Sequence, residues 1–344
     1  MTTLIWMFPG QSSRYPQMFR KVASLRPKLT LNLLEEASAL LGRDVKAHYC
    51  DAKPSSVMFG CNRDVQIGVF LINHLFLQVL ESEGFHADYS LGLSLGEWNH
   101  LVHIGALSFE DALRAVEARG RAYDQGPRGA MASVFPLDAE TLEEAVEQAR
   151  VHGQIEIVNF NSPRQQVISG EHAAIEAAMQ IIEDEYFVQA VMIEKEVPMH
   201  ASMFESAGLA FRAHLETLAF QTPTLPYLPN RFAAFQEQLT SQEWVDILSS
   251  HVYKPVFWRE SIDMLVAHCV EPVFVEVGAK GVLYNLLDRR WHKGLHKIKM
   301  DSAEDTAAHQ AQVLRSLHQL QAQRAAQHLT ATAEAKVRTQ TSSQ

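Results

Sequence analysis

Residues 90–100 read Ser-Leu-Gly-Leu-Ser-Leu-Gly-Glu-Trp-Asn-His, and within them Gly92-Leu93-Ser94-Leu95-Gly96 has the spacing G-x-S-x-G. A serine held on a sharp turn between a strand and a helix needs glycine on both sides, where a Cβ would clash. Gly92 and Gly96 fill those two places, and Ser94 becomes the candidate nucleophile. The flanks supply the context: His86 to Leu91 reads as a short strand and Glu97 to Ile104 as the opening of a helix. The free N–H groups of that helix N-terminus would face Ser94 and could hold a developing oxyanion. The same residues also fit a plain strand–turn–helix corner, so the rest of the chain has to decide.

Upstream of the elbow, Leu4 to Phe8 is an apolar run of strand length, ended by the turn Pro9-Gly10-Gln11-Ser12-Ser13. Lys21 to Leu41 is helical in pattern, Asp51 to Ser56 is polar, and Asn62 to Leu80 reads as a buried helix. Downstream, Ser108 is placed to cap a helix over Phe109–Gln125, with Glu110 and Asp111 in its first turn. From Gly129 the texture changes to strand Met131–Pro136, helix Glu140–Val151, strands Ile155–Asn161 and Gln165–Ser169, helix Ala173–Glu185 and strand Val188–Glu194. That β-α-β-β-α-β order is the ferredoxin-like motif.

The chain then passes Val197-Pro198-Met199-His200 and returns to helices at Met203–Leu218, Trp244–Ser250 and Trp258–Val266, with a strand at Val273–Val277 and a helix at Val282–Leu287. The fold expected is α/β: a hydrolase-like large domain with a parallel sheet over 1–128 and 198–300, and an inserted ferredoxin-like small domain over 129–197. A C-terminal helix is expected within 301–329, by its repeated Leu, Val and Ala between Ala303 and Ala326. The Thr-, Ser-, Ala- and Gln-rich stretch 330–344 is expected to be a disordered tail.

At 344 residues and 47% hydrophobic, the chain can bury a substantial core. Its 30 basic and 40 acidic residues give a net charge of −10, which argues against general nucleic-acid binding. Cys50, Cys61 and Cys269 lack metal-ligand or disulfide-framework spacing, so reduced thiols, no metal and a cytoplasmic setting are expected. The N-terminus lacks the basic region of a signal peptide, and no run approaches transmembrane length, so no membrane association is expected.

Phe8-Pro-Gly-Gln11, Gly92-Leu-Ser94-Leu-Gly-Glu97, Asn159-Phe-Asn161-Ser-Pro, Val197-Pro-Met-His200 and Glu276-Val-Gly278 follow one another in order. Together they resemble the malonyl-CoA:acyl carrier protein transacylase family, which includes the acyltransferases of polyketide synthases, over roughly residues 4–300. The resemblance implies a Ser94–His200 dyad working through a covalent acyl-enzyme, without a cofactor, on a coenzyme A thioester and an acyl carrier protein. It implies a monomer serving fatty-acid or polyketide synthesis in trans. A carbonyl near His251 is expected to hold the second nitrogen of His200, and His251 stands where many relatives have glutamine. The oxyanion hole maps onto Gln11 and the N–H of Leu95.

Arg119 stands where the family's malonyl-binding arginine falls and would grip a carboxylate with two parallel hydrogen bonds; Arg114, Arg121 and Arg128 are its competitors. Two departures bear on the acyl pocket and one on the turn after Gln11, and Trp98 in place of the usual tyrosine is a milder change. Leu93 replaces the usual histidine before the serine, Met199 stands where relatives have serine or phenylalanine, and Ser12 follows Gln11 in place of glycine. Gln66 matches a family glutamine near the site, with a helix cap or core contact as its other reading.

Other functions fit parts of the pattern. An acyl hydrolase clearing stalled groups from carrier proteins would keep the dyad and replace the second thiol by water. An esterase triad would need an acid such as Asp246 or Asp263 and a histidine such as His268 or His296. A non-catalytic carrier-protein adaptor would not need Gln11, Ser94 and His200 together.

Overall fold

The computed structural model describes residues 2–51, 56–288, 290–302 and 306–341. Strand β1 (Thr3–Phe8) opens it, and a 3-10 turn at Gln11–Ser13 leads to α1 (Met18–Ala23) and α2 (Pro27–Leu41). The single helix expected over Lys21–Leu41 is therefore two. Pro27 ends up in the first turn of α2, where its missing N–H is tolerated, and the chain bends just before it. Of the polar stretch at Asp51–Ser56, residues 52–55 lie outside those described.

Next come α3 (Asn62–Ser82), β2 (Tyr89–Gly92), α4 (Gly96–His103) and α5 (Phe109–Gln125). By length and composition α3 could cross a membrane, contrary to the expectation that no run reaches that length. Its apolar surface is instead taken up inside the fold, against α2, α4 and α5. In α5 the Ser108 hydroxyl accepts from Asp111 N–H, as the sequence predicts. One stripe of α5, including Ala112, Val116, Arg119 and Tyr123, points inward. That periodicity carries Arg119 into the core.

The middle of the chain folds as β3 (Ala130–Val134), α6 (Ala139–Ala149), β4 (Ile155–Ser162), β5 (Gln165–Gly170), α7 (His172–Tyr186) and β6 (Val191–Glu194). Its strands lie in the order β4-β5-β3-β6, all antiparallel, which is the ferredoxin-like arrangement. Their buried face packs on α6 and α7 through Leu142, Val146, Ile175 and Ile182.

The chain continues through α8 (Glu205–Leu215), α9 (Ser241–Ser250), α10 (Trp258–His268), β7 (Pro272–Glu276), α11 (Val282–Leu286) and β8 (His296–Lys299). Strands β2-β1-β7-β8 form a parallel sheet in that order, with Ile5 beside Tyr89 and Leu4 beside Val273. Helices cover both faces, as a parallel sheet requires. Leu4, Trp6 and Phe8 join the cluster that contains α3, while Ile5 and Met7 pack with Ile262, Leu265 and Leu283. The antiparallel sheet is tied to the segment before α10 where Phe160 N–H donates to Val256 O (3.0 Å) and Val256 N–H to Val158 O (2.8 Å).

Helix α12 (Thr306–Thr341) closes the described chain. Residues 303–305, where it was expected to start, lie outside those described, as do 342–344. The disordered tail expected from Thr330 is corrected as far as Thr341. Residues 330–341 contain neither Pro nor Gly and are rich in Ala, so low hydrophobicity there does not prevent helix formation.

Candidate active site

Ser94 sits between the end of β2 and the start of α4 with φ of 50°, in the left-handed region. A non-glycine residue held there costs about 1–3 kcal/mol, so its surroundings must enforce the turn. They do so by close backbone approach. A Cβ on Gly92 would run into the carbonyl of Gly96, and one on Gly96 into the carbonyl of Phe8. The elbow glycines are thus needed for space, as the sequence predicts. From outside, Asn230 Oδ1 accepts the Ser94 N–H at 2.7 Å, and Asn230 Nδ2 donates to Gly92 O.

His200 has φ of 67° and is 2% exposed; its N–H donates to Val252 O at 2.9 Å. Its Nδ1 lies 2.7 Å from the main-chain oxygen of His251, and its Nε2 lies 2.8 Å from Ser94 Oγ. A carbonyl can only accept, so Nδ1 carries the proton and Nε2 presents its lone pair to the serine hydroxyl. Burial, with the Arg119 cation as a second cause, pushes the His200 pKa down to about 3 and keeps the ring neutral. The carbonyl rather than a side chain of residue 251 makes this contact, so glutamine or histidine there serves it equally.

Arg119 is 1% exposed. Its Nη1 donates to Gln66 Oε1 at 2.9 Å, its Nη2 to Ser94 Oγ at 3.3 Å, and its guanidinium lies 4.5 Å from the centre of the Tyr123 ring. Among the described residues it has no ion-pair partner, whereas Arg114, Arg121 and Arg128 pair on the surface with Glu110, Glu117 and Glu196. Two neighbouring donors are also left over: Gln66 Nε2 and the Tyr123 hydroxyl are buried without partners. The Gln66 reading as a cap is thereby set aside in favour of its contact with Arg119.

Gln11, Leu93, Ser94, Met199 and His200 line one cavity of about 460 Å³ between the two sheets. Ser12, beside Gln11, keeps a negative φ within its 3-10 turn, so its replacement of glycine carries no strain. Among the described residues no hydrogen bond is made by the N–H of Leu95, in the turn that starts α4. Asn159 and Asn161 reach the same cavity, and their Oδ1 atoms find no partner among the described residues. The alternative triad members are elsewhere: Asp246 pairs with Arg212, Asp263 with Trp291 and His292, and His268 with Tyr89. Asn230 was missed in the sequence, since a lone asparagine after Leu-Pro carries no local pattern that points back to residue 94.

Comparison with known proteins gives a consistent answer. A family model described as an acyl transferase domain matches residues 52–340. The malonyl CoA-acyl carrier protein transacylase of Escherichia coli K12 is 31% identical over 294 residues, covering 84% of this chain and 93% of the relative. PksC of Bacillus subtilis 168, a polyketide biosynthesis malonyl CoA-acyl carrier protein transacylase, is 28% identical over 301 residues, covering 87% and 98%. A structure of a malonyl-transacylase in complex with a type II polyketide synthase acyl-carrier protein superposes with a TM-score of 0.81 at 25% identity, covering 91% of this chain and 99% of that one.

Proposed function

Because this chain belongs to the malonyl-CoA:acyl carrier protein transacylase family of acyl transferase domains, we propose that it moves a malonyl group from coenzyme A to the phosphopantetheine thiol of an acyl carrier protein through an ester on Ser94. Ser94 Oγ attacks the thioester carbonyl carbon while His200 Nε2 takes the hydroxyl proton. The N–H groups of Leu95 and Gln11 hold the oxyanion of the tetrahedral intermediate. Collapse breaks the C–S bond, and His200 returns the proton to the departing thiolate. The carrier thiol then attacks the Ser94 ester by the same steps in reverse. The reaction balances without a cofactor.

The observation that carries the substrate is the buried Arg119 beside Ser94. A guanidinium out of water without a counter-ion is costly, and leaving it so beside a reactive hydroxyl makes sense where an incoming carboxylate supplies the charge. Gln66 Nε2 and the Tyr123 hydroxyl add donors to the same neighbourhood, which then holds donors in excess of acceptors. The unpartnered Oδ1 atoms of Asn159 and Asn161 are acceptors suited to the amide N–H groups of the pantetheine arm, which both donor and acceptor substrates share.

We read 1–128 with 198–300 as the acyl-transfer unit and 129–197 as an insert that closes the cavity from the other side. The three free thiols fit a cytoplasmic setting.

The apolar wall formed by Leu93 and Met199 favours a second reading, hydrolysis of neutral acyl groups from carrier proteins. One experiment separates the two: intact-mass analysis after brief exposure to malonyl-CoA, acetyl-CoA and a longer acyl-CoA, with and without a carrier protein. A malonyl adduct absent from Ser94→Ala and passed to the carrier supports transfer. Free acids released from neutral acyl groups, with no malonyl adduct, support hydrolysis.

A further inference from the structure

Glu97 lies in the first turn of α4, three residues beyond Ser94, and is fully buried. Its carboxylate is met by polar groups from two separate segments. Tyr227 Oη donates to Oε1 at 2.6 Å and the main-chain N–H of Asn230 to Oε2 at 3.3 Å, while His251 Nδ1 approaches the same Oε2 at 3.3 Å. Each segment goes on to hold one member of the proposed dyad. Asn230 clamps the elbow through Ser94 N–H and Gly92 O, and the carbonyl of His251 fixes Nδ1 of His200.

We propose that Glu97 is the positioning residue that sets Ser94 against His200, by tying the Asn230 segment and the His251 segment to a single buried carboxylate. The need for such a tie is local. Both Ser94 and His200 adopt left-handed backbone conformations that other residues must enforce, at φ of 50° and 67°. Ser94 has Asn230 as its outside anchor, and His200 has Val252 and His251. Without a common attachment, the Asn230 and His251 segments could each hold their half correctly and still leave the 2.8 Å contact between Oγ and Nε2 open. A shift of that size is enough to disable a proton transfer. The tie does not touch substrate, so Glu97 acts through its neighbours.

The charge state of the carboxylate makes the role measurable. Burial raises its pKa to about 7, opposed by the hydrogen bonds from Tyr227 and Asn230 and by the cations of Arg119 in α5 and Arg231 beside Asn230. The other groups facing it do not titrate near neutrality. Burial drives His251 well below its ordinary value and Tyr227 well above, and His200 stays neutral. As pH falls through about 7, Glu97 takes up a proton and loses the charge that draws in the Tyr227 hydroxyl, the Asn230 N–H and the nearby His251 ring.

The inference rests on Ser94 being the nucleophile, so its test reads Ser94 reactivity without malonyl. A fluorophosphonate probe labels activated serines; its rate is followed by intact mass from pH 5.5 to 9 in wild type, Glu97→Gln and His251→Ala, with Ser94→Ala as the reference. Wild type is expected to label Ser94 with an acid limb near pH 7. Folded Glu97→Gln is expected to label at least tenfold more slowly at pH 8 and to lose that limb, because an amide does not titrate. His251→Ala keeps the carbonyl that holds His200 and offers no side-chain group to Glu97, so it carries the decision if Glu97→Gln does not fold. It is expected to slow labelling and displace the limb. Labelling of Ser94→Ala at the wild-type rate overturns the nucleophile assignment itself. Labelling confined to Ser94, with both other variants matching wild type in rate and pH profile, overturns the role of Glu97 alone.

Discussion

Replacing Arg119 by alanine should change which acyl group is loaded far more than how fast a neutral one is. The guanidinium is 1% exposed and has no ion pair among the described residues, so in the free protein it is met by Gln66, by Ser94 Oγ at 3.3 Å and by the Tyr123 ring, with the charge of Glu97 acting on it without a direct contact. A malonyl carboxylate gains two charge-assisted hydrogen bonds there, each worth about 1.5–3 kcal/mol. From that total the contact to Ser94 Oγ must be subtracted, since the same Nη2 gives it up, at about 1–2 kcal/mol. The difference leaves about 2–4 kcal/mol that acetyl cannot use, or roughly 30- to 1000-fold in relative kcat/KM.

The assay is single-turnover acylation by malonyl-CoA and acetyl-CoA, read by intact mass. Arg119→Ala should lose about two orders of magnitude for malonyl and less than about tenfold for acetyl. Arg119→Lys, which keeps the charge without the fork, should fall between. Equal losses for the two acyl groups would falsify the assignment of Arg119 to the acyl carboxylate.

Three further outcomes follow from the same geometry. Gly92→Ala and Gly96→Ala each drive a Cβ into backbone of the elbow or β1 that cannot move independently, so each should destabilise by about 3 kcal/mol or more in denaturant melts; a loss under about 1 kcal/mol contradicts the packing described. Ser94→Gly should be more stable than Ser94→Ala by about 1 kcal/mol, because only glycine relieves φ of 50°; equal midpoints in urea would count against strain at the elbow.

Stability should also fall on mild acidification. The buried His74, His100, His200 and His251 and the partly buried His103 have pKa values lowered chiefly by burial, so between their unfolded value near 6.5 and about 4 the unfolded chain binds more protons. Glu97 and Glu276, raised to about 7 by burial, act oppositely and bind protons in the folded state as pH drops from about 7 to 4.5. Five histidines against two carboxyls leave a slope of roughly 4 kcal/mol per pH unit near pH 5. Thermal midpoints that stay level from pH 7 to 5 would refute this balance.

Much of the scaffold was legible because its signals are local. The strand before the elbow, the glycines around Ser94 and the capped helix Phe109–Gln125 follow from alternation, sterics and a capping serine within a few residues. The order of elements in 130–194 likewise anticipated the antiparallel sheet β4-β5-β3-β6. Errors arose where local signals compete. Pro27 split one helical pattern into two, and a polar, Ala-rich terminus read as disorder where helix propensity carries α12 to Thr341. The apolar length of α3 was underestimated because its polar residues, Asn73 and His74 among them, are themselves buried.

The sequence by itself determined that a serine would stand on a sharp turn between strand and helix, and that Arg119 and the histidine after Val-Pro-Met hold the positions the family resemblance gives them, because steric exclusion and motif order are written along the chain. Only the tertiary structure decided which atoms meet. It chose the main-chain oxygen of His251 for Nδ1 of His200, brought Asn230 onto the Ser94 N–H, left Arg119 unpaired while its neighbours found surface carboxylates, and set Glu97 beneath both halves of the site. Those contacts join segments that are distant along the chain, and their geometry exists only once two sheets and their covering helices have packed, since no local rule relates the positions of residues so far apart.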